Sequence, residues 1–338
     1  MRAALLREFK KPLAIEEIDE PAPGPDDVLI QVEACGVCHS DLHIAEGDWP
    51  QLIKIIKLPL TLGHEAVGRV VAKGENVTNP AIGDRVGVAW IHYSCGDCEM
   101  CREGRENLCS SQKITGCTEQ GGFAQYIKAR ASHALKVPDS IPSAEAAPLF
   151  CAGVTVYRAI KNASVQPGQR LAVFGIGGLG HLAVQIAASL GAEVIAVDIA
   201  DDKLELAKTL GAGRTINASS RNAVKELRSL GGVHIAVVTS GSKIAYDQAF
   251  SSLRPAGILV VVGLPAEPLT FPAISMVAGE FKVIASAVGT RQDLKEVLEL
   301  AASGRLKCLV ESRPLESVNE VLDEMRAGRL TGRVVLTL

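Results

Sequence analysis

Leu171-Ala-Val-Phe174-Gly175-Ile-Gly177-Gly178-Leu179-Gly180 runs a short, wholly apolar strand straight into a G-x-G-x-x-G turn. Leu179, Leu182, Ile186 and Leu190 then recur at helical spacing, so the turn opens a helix. Strand, glycine turn and helix begin a βαβ unit, and the bare N–H groups and dipole at such a helix start favour a pyrophosphate. Glycine turns of this form also occur without a ligand, so the context has to decide. The next strand, Val194-Ile-Ala-Val, ends on Asp198, close to the spacing of about 20 residues at which dinucleotide folds place an acid. A carboxylate there can accept both ribose hydroxyls of NAD and repels the 2′-phosphate of NADP. The other reading of Asp198 is an N-cap for the helix Lys203 to Leu210, a task that Asp201 suits better.

Outward from this unit the alternation continues. Ile235-Ala-Val-Val, Ile258-Leu-Val-Val-Val and Val283-Ile-Ala are apolar runs of the kind buried on both faces. Together they predict a doubly wound parallel sheet, an α/β fold, over 151–289. Ala144 to Asn162 is Ala-rich and predicts a helix. Leu294 to Ala302 and Val318 to Met325 predict two more, followed by a last strand, Arg333-Val-Val-Leu-Thr. Residues 1–150 are different. Val28-Leu-Ile-Gln-Val-Glu-Ala, Ala66-Val-Gly-Arg-Val-Val and Asp84-Arg-Val-Gly-Val are β-branched runs punctuated by Pro23-Gly24-Pro25, Gly74 and Gly83. A length of 338 residues fits two domains of this kind.

Composition narrows the function. Hydrophobic residues make up 47% and charged residues 22%, a globular balance, and the net charge of -3 argues against a nucleic-acid partner. No apolar run approaches the length of a membrane span. Arg7, Glu8, Lys10 and Lys11 interrupt the N-terminus, so no signal core is read there and a cytoplasmic enzyme is expected. A mean hydropathy of +0.20 fits contacts between subunits or a large parallel-sheet core.

Nine cysteines are many for a reducing compartment. Cys95, Cys98, Cys101 and Cys109 follow a C-x2-C-x2-C-x7-C spacing that suits metal better than disulfides. Four thiolates satisfy tetrahedral Zn2+ with no position left open, which is a structural site. An iron–sulfur cluster competes, although nothing else in the sequence suggests electron transfer. A second set is dispersed: Cys38, His64 and Cys151. Two thiolates and one imidazole would leave a fourth position open, the composition of a catalytic zinc. Spacing alone does not bring these three together, and a single buried cysteine is usually a small hydrophobe.

Cys35-Gly-Val-Cys38-His-Ser-Asp-Leu-His43, Gly47-Asp-Trp-Pro, Gly63-His-Glu-Ala-Val-Gly, the four-cysteine lobe, Cys151-Ala-Gly-Val-Thr155 and the glycine fingerprint resemble, in order and spacing, the medium-chain zinc alcohol dehydrogenases. The resemblance covers essentially the whole chain and is nearest to bacterial, NAD-linked, tetrameric members. It implies a Rossmann domain over 151–289 and a GroES-like β-barrel catalytic domain made of 1–150 with 290–338 returning to it. It implies two Zn2+ per chain and NAD, a small alcohol or aldehyde as substrate, and a homotetramer, with a dimer as the alternative.

The same resemblance implies roles. Cys38, His64 and Cys151 would bind the catalytic zinc, with Glu65 behind it and Asp41 orienting His64. Ser40 and His43 would relay the alcohol proton to solvent. His39 and Arg333 would contact the pyrophosphate, and Asp198 and Lys203 the adenosine ribose. Thr155, Leu179 and Val262 would pack beside the nicotinamide, and Trp49 and Trp90 would line the substrate cleft. Without the family, Ser40 and His43 read as caps or surface residues and the tryptophans as core aromatics. Two features depart from similar members: the segment Gln51-Leu-Ile-Lys-Ile-Ile-Lys57 is longer, and Cys117 stands where an aromatic residue is common. A polyol dehydrogenase commonly has a carboxylate in place of one cysteine ligand, which Cys151 opposes. Asp198 opposes an NADP-linked cinnamyl-type reductase.

Overall fold

Asp27–Gly36 is a strand on which Val28, Leu29, Ile30, Val32, Ala34 and Cys35 are all buried. Bulges at Leu29/Ile30 and Val32/Ala34 shift its pleat, so neighbouring residues can both turn inward. One edge pairs with Ala66–Lys73. The other pairs with Tyr126–Arg130 along its first half and with Arg333–Thr337 along its end, all antiparallel. Arg85–Val88 and Ala134–Lys136 extend the sheet on one side, and Val310–Pro314 on the other. A second sheet holds Ala14–Glu17, Arg2–Leu6 and Leu60–Thr61. Leu6, Ile30, Leu60, Val86, Phe123, Ile127 and Leu336 share one core between them.

In the computed structural model, which describes residues 1–338, this first unit comprises Met1–Ala152, Thr290–Ser303 and Lys307–Leu338. The second unit is Gly153–Gly289 with Gly304–Leu306. Its six strands are parallel, in the order Arg214–Asn217, Glu193–Asp198, Arg170–Phe174, Val233–Val238, Leu253–Val261, Lys282–Ala285. The chain starts at a central strand, winds outward one way, then crosses to the other side. The switch point therefore lies between Arg170–Phe174 and Val233–Val238, where open sheets of this kind bind ligands.

Two local expectations need correction, and one strand is added. The helix expected over 144–162 is broken: Ser143–Ala146 passes into a 3-10 turn at Ala147–Phe150, and a new helix runs Ala152–Asn162. Pro148 has no N–H to continue the first helix. Asp201 is not a cap; Ala200 holds that position, and Asp201 accepts a hydrogen bond from the Asn217 amide at 2.6 Å. Arg214–Asn217 is an edge strand with one buried residue, Ile216, too polar to show an apolar run.

The four-cysteine lobe carries only short elements, Glu99–Arg102 and the 3-10 turn Glu106–Leu108. Polar links fasten it. Glu106 accepts from the Arg291 backbone N–H at 2.7 Å and from its guanidinium at 2.5–3.0 Å, a bidentate pair. Arg291 also donates to the Ser132 carbonyl at 2.8 Å. Next door, the Ser94 N–H donates to His133 Nε2 at 3.1 Å. That bond puts the imidazole proton on Nδ1, which meets Ser132 Oγ at 2.9 Å.

Burial, aided by the Arg291 charge, pushes His133 from 6.5 down to about 4. Between those values the unfolded chain holds the extra proton, so stability falls as the pH drops through this window. The loss should reach about 3 kcal/mol at most. Melting temperatures of the wild type should decline more steeply from pH 6.5 to 4.5 than those of His133→Asn. Equal slopes would show that His133 does not titrate with unfolding.

Candidate metal centres and nucleotide site

Cys38 stands at the N-cap of the helix His39–Glu46, and Asp41 lies one turn in. The fully buried Asp41 carboxylate holds three groups: the Cys38 N–H at 2.8 Å, the Gly63 N–H at 3.1 Å and His64 Nδ1 at 3.2 Å. With Nδ1 spoken for, His64 presents Nε2, which is buried and has no partner. Cys38, His64, Glu65 and Cys151 bring their ligand atoms within 4.8 Å of one another. The Cys38 and Cys151 sulfurs are 3.8 Å apart. Tetrahedral zinc with Zn–S near 2.3 Å separates two sulfurs by about 3.8 Å, so the donor set fits the metal.

The electrostatics agree. The Cys151 thiol, then His64 and Arg333, hold Cys38 well below the usual thiol range, while Cys151 is pushed up by the Cys38 charge and by burial. Burial opposes charge on His64, but Asp41 and Cys38 outweigh it and raise its pKa. Asp41 and Cys38 thus call for positive charge at this point, which a proton on His64 supplies and a bound metal would replace. Burial lifts Glu65 to about 7 against the pull of Arg333, whose guanidinium donates to Glu65 Oε1. Arg333 is thus buried and held by Glu65, not free to meet a pyrophosphate. Its Nε and Glu65 Oε2 remain unpartnered.

Around this cluster, Ser40 Oγ lies 3.8 Å from Cys38 Sγ. His43 Nδ1 meets Asp48 Oδ2 at 2.7 Å, and its ring is 5.1 Å from that of Trp49. Trp90 sets its edge to His64 at 4.9 Å. Both tryptophans are half-buried against the barrel core. His39 is exposed on the same helix. Gln51 to Lys57 starts as the short helix Pro50–Ile53, and Cys117 is packed in the barrel core with burial raising its thiol to about 11. Cys35 and Cys308 are also buried.

In the lobe, Cys95, Cys98, Cys101 and Cys109 converge within 4.8 Å, with Cys95 3.5 Å from Cys109 and 3.9 Å from Cys101. The Asp97 and Cys98 N–H groups pull Cys95 down to about 6. A ring of four sulfurs at these spacings again suits zinc.

In the second unit, Gly175 has φ +92 and accepts no side chain without meeting Ser240. Ile176 donates its N–H to Asp198 Oδ2 at 2.5 Å, and Ile199 and Ala200 donate to Oδ1 at 2.7 and 3.1 Å. Asp198 is therefore also a clamp on the glycine turn. The Gly177 and Gly178 N–H groups have no partner in the chain, and a Cβ at Gly177 would meet nothing within 4 Å. That open cradle at a helix N-terminus fits a pyrophosphate. Leu179 and Val262 are half-buried at the same edge of the sheet, Thr155 lies on Ala152–Asn162, and Lys203 on Asp201–Thr209.

Two positions escaped the sequence. A side chain at Gly36 would strike Glu65 Oε2 at 1.9 Å, and one at Gly87 would strike the Phe150 ring at 2.1 Å. The first leaves room for the carboxylate and the second seats the residue before Cys151. Gly36 was visible between two cysteines; nothing local marks Gly87.

Residues 24–139 match the alcohol dehydrogenase GroES-like domain, and residues 178–303 match the zinc-binding dehydrogenase family. An alcohol dehydrogenase of Geobacillus stearothermophilus is 48% identical, with 99% of each chain covered. The alcohol dehydrogenase of Aeropyrum pernix superposes with a TM-score of 0.93 at 37% identity, with both chains fully covered. Acetophenone reductase from Geotrichum candidum, solved in complex with NAD, gives 0.90 at 32% identity over all of this chain and 97% of that one. With a GroES-like barrel, a Rossmann sheet and two Cys/His clusters, the chain belongs to the zinc-dependent medium-chain alcohol dehydrogenases.

Proposed function

We propose that this alcohol dehydrogenase uses NAD and two zinc ions per chain to interconvert small primary or secondary alcohols with their aldehydes or ketones. The observation that carries the reading is the buried His64 Nε2, which has no hydrogen-bond partner, in a cluster whose ligand atoms, the Cys38 and Cys151 sulfurs among them, lie within 4.8 Å of one another. Zinc held by Cys38, His64 and Cys151 would supply Lewis acidity that lowers the pKa of an alcohol, and NAD would supply the hydride acceptor.

The chain's own residues do the rest. Asp41 orients His64, and Glu65 with Arg333 balances charge behind the cluster. Ser40 accepts the alcohol proton beside Cys38, and His43, partly exposed and steadied by Asp48, passes it to solvent. Trp49 and Trp90 narrow the cleft toward short chains. Gly175, Gly177, Gly178, Leu179 and Gly180 receive the pyrophosphate. Of the two residues expected to contact it, His39 is exposed and Arg333 is held by Glu65. Asp198 and Lys203 take the adenosine ribose, and Thr155, Leu179 and Val262 the nicotinamide. Cys95, Cys98, Cys101 and Cys109 hold the structural zinc.

A homotetramer, or a dimer, is supported by Ile274 and Val277, which are 77% and 75% exposed just before the edge strand Lys282–Ala285. No helix is long and apolar enough to cross a membrane.

Elemental analysis of active protein should give two zinc ions per chain. Cys98→Ser should lose one and melt lower, because structural zinc binding is folding energy. Cys38→Ser should keep the fold and lose turnover. One zinc or none in the active wild type would refute the assignment.

The wild type should favour NAD over NADP in kcat/KM. Replacing Asp198 by Gly, with Ile199→Arg, removes the repulsion of a 2′-phosphate, but it also frees the Ile176 N–H. NAD should lose about 1–3 kcal/mol, while NADP gains less than the new cation alone would provide. A wild type that uses both cofactors equally ends the NAD reading.

A further inference from the structure

The carboxyl ends of three central strands are tied together by contacts that the glycine fingerprint does not require. Thr239, just past Val233–Val238, donates its hydroxyl to the Gly175 carbonyl at 2.5 Å and its N–H to the Phe174 carbonyl at 3.0 Å. Val262 and Gly263, just past Leu253–Val261, donate their N–H groups to the Val238 carbonyl at 3.2 and 2.9 Å. Ser240 is wedged between the two turns. A Cβ on Gly263 would lie 2.3 Å from the Ser240 carbonyl oxygen, and one on Gly175 would lie 2.9 Å from Ser240 Cβ.

Tyr246 closes the set. It is fully buried on the helix Lys243–Ser251, and its phenol donates to the Gly263 carbonyl. Burial pushes that phenol up to about 12, so it stays a donor. A second oxygen, of Val238, lies at 3.5 Å. A phenylalanine would fill the same core without a hydroxyl to satisfy, so the bond to Gly263 is what the tyrosine adds.

We propose that Tyr246 is a positioning residue for the nicotinamide half of the dinucleotide, acting through the Gly263 carbonyl on the turn that carries Val262, while Thr239 sets the pyrophosphate turn through Gly175. This rests on the reading above in which NAD binds here with Val262 beside the nicotinamide. The two halves of the cofactor are then held in place by separate hydroxyls.

Calorimetric titration of the zinc-loaded protein with NADH and with ADP-ribose, which lacks the nicotinamide, tests this. Tyr246→Phe should weaken NADH roughly threefold to tenfold, the scale of one lost hydrogen bond, and leave ADP-ribose unchanged. Thr239→Val should weaken both ligands by the same factor. A Tyr246→Phe protein that only melts lower, with both affinities intact, overturns the proposal by making Tyr246 a core residue. Equal loss of both ligands in Tyr246→Phe overturns it too. A wild type that binds neither ligand refutes the NAD reading itself, and the proposal with it.

Discussion

The Asp41 carboxylate is the constraint on which the dispersed cluster depends. Cys38 and His64 come from different segments, and no covalent link or spacing rule brings them together. A fully buried carboxylate is costly unless donors surround it, and here three do: the Cys38 N–H, the Gly63 N–H and His64 Nδ1. Each of those bonds satisfies the acid and also fixes a ligand-bearing segment. The imidazole can then offer only Nε2 to the sulfurs. The same bond that makes the carboxylate tolerable thus decides which nitrogen is available for a metal.

Charge is arranged around the cluster in the same economical way. Cys38 is held low, Asp41 and Cys38 favour positive charge at His64 that a bound metal would supply in place of the proton, and the Glu65–Arg333 pair stands buried behind them. Such pairs rarely add stability over apolar packing. Here each partner keeps one atom unpartnered, Glu65 Oε2 and Arg333 Nε. Arg333 comes from the last strand and Glu65 from the segment after His64, so the pair also ties the returning C-terminus to the site through Arg333–Thr337 and Asp27–Gly36.

What could be read from the sequence was what is local. The four cysteines of the lobe and the glycine turn carry their meaning within a few residues, because a metal loop and a phosphate turn are each closed by nearby atoms. Apolar runs such as Ile235 to Val238 fixed the parallel sheet, since burial on both faces leaves no polar alternation to mistake. Arg214–Asn217 was missed because an edge strand needs only one buried residue. The break at Pro148 was hidden inside an Ala-rich stretch. Cys38, His64 and Cys151 became a set only through resemblance, since tertiary pairing is invisible to spacing. Asp198 shows the limit best: its carboxylate was read for a ribose, and its bond to the Ile176 N–H, made across the sheet, has no sequence signature.

Cys151 shows how long-range packing places a short-range ligand. The 3-10 turn Ala147–Phe150 ends with the Phe150 ring filling the space that any side chain at Gly87 would occupy. Gly87 lies on Arg85–Val88, which pairs with Ala66–Lys73, the strand that follows His64 and Glu65. The ring therefore measures the position of Cys151 against the sheet that positions His64. Helical continuity from Ser143 to Asn162 would be better for the backbone, since the break forfeits hydrogen bonds within the helix. The chain accepts that local loss because Phe150 buries a full aromatic ring in exchange. Its consequence is a cysteine at φ −129 and ψ −72, outside the helix on either side, with its sulfur 3.8 Å from that of Cys38.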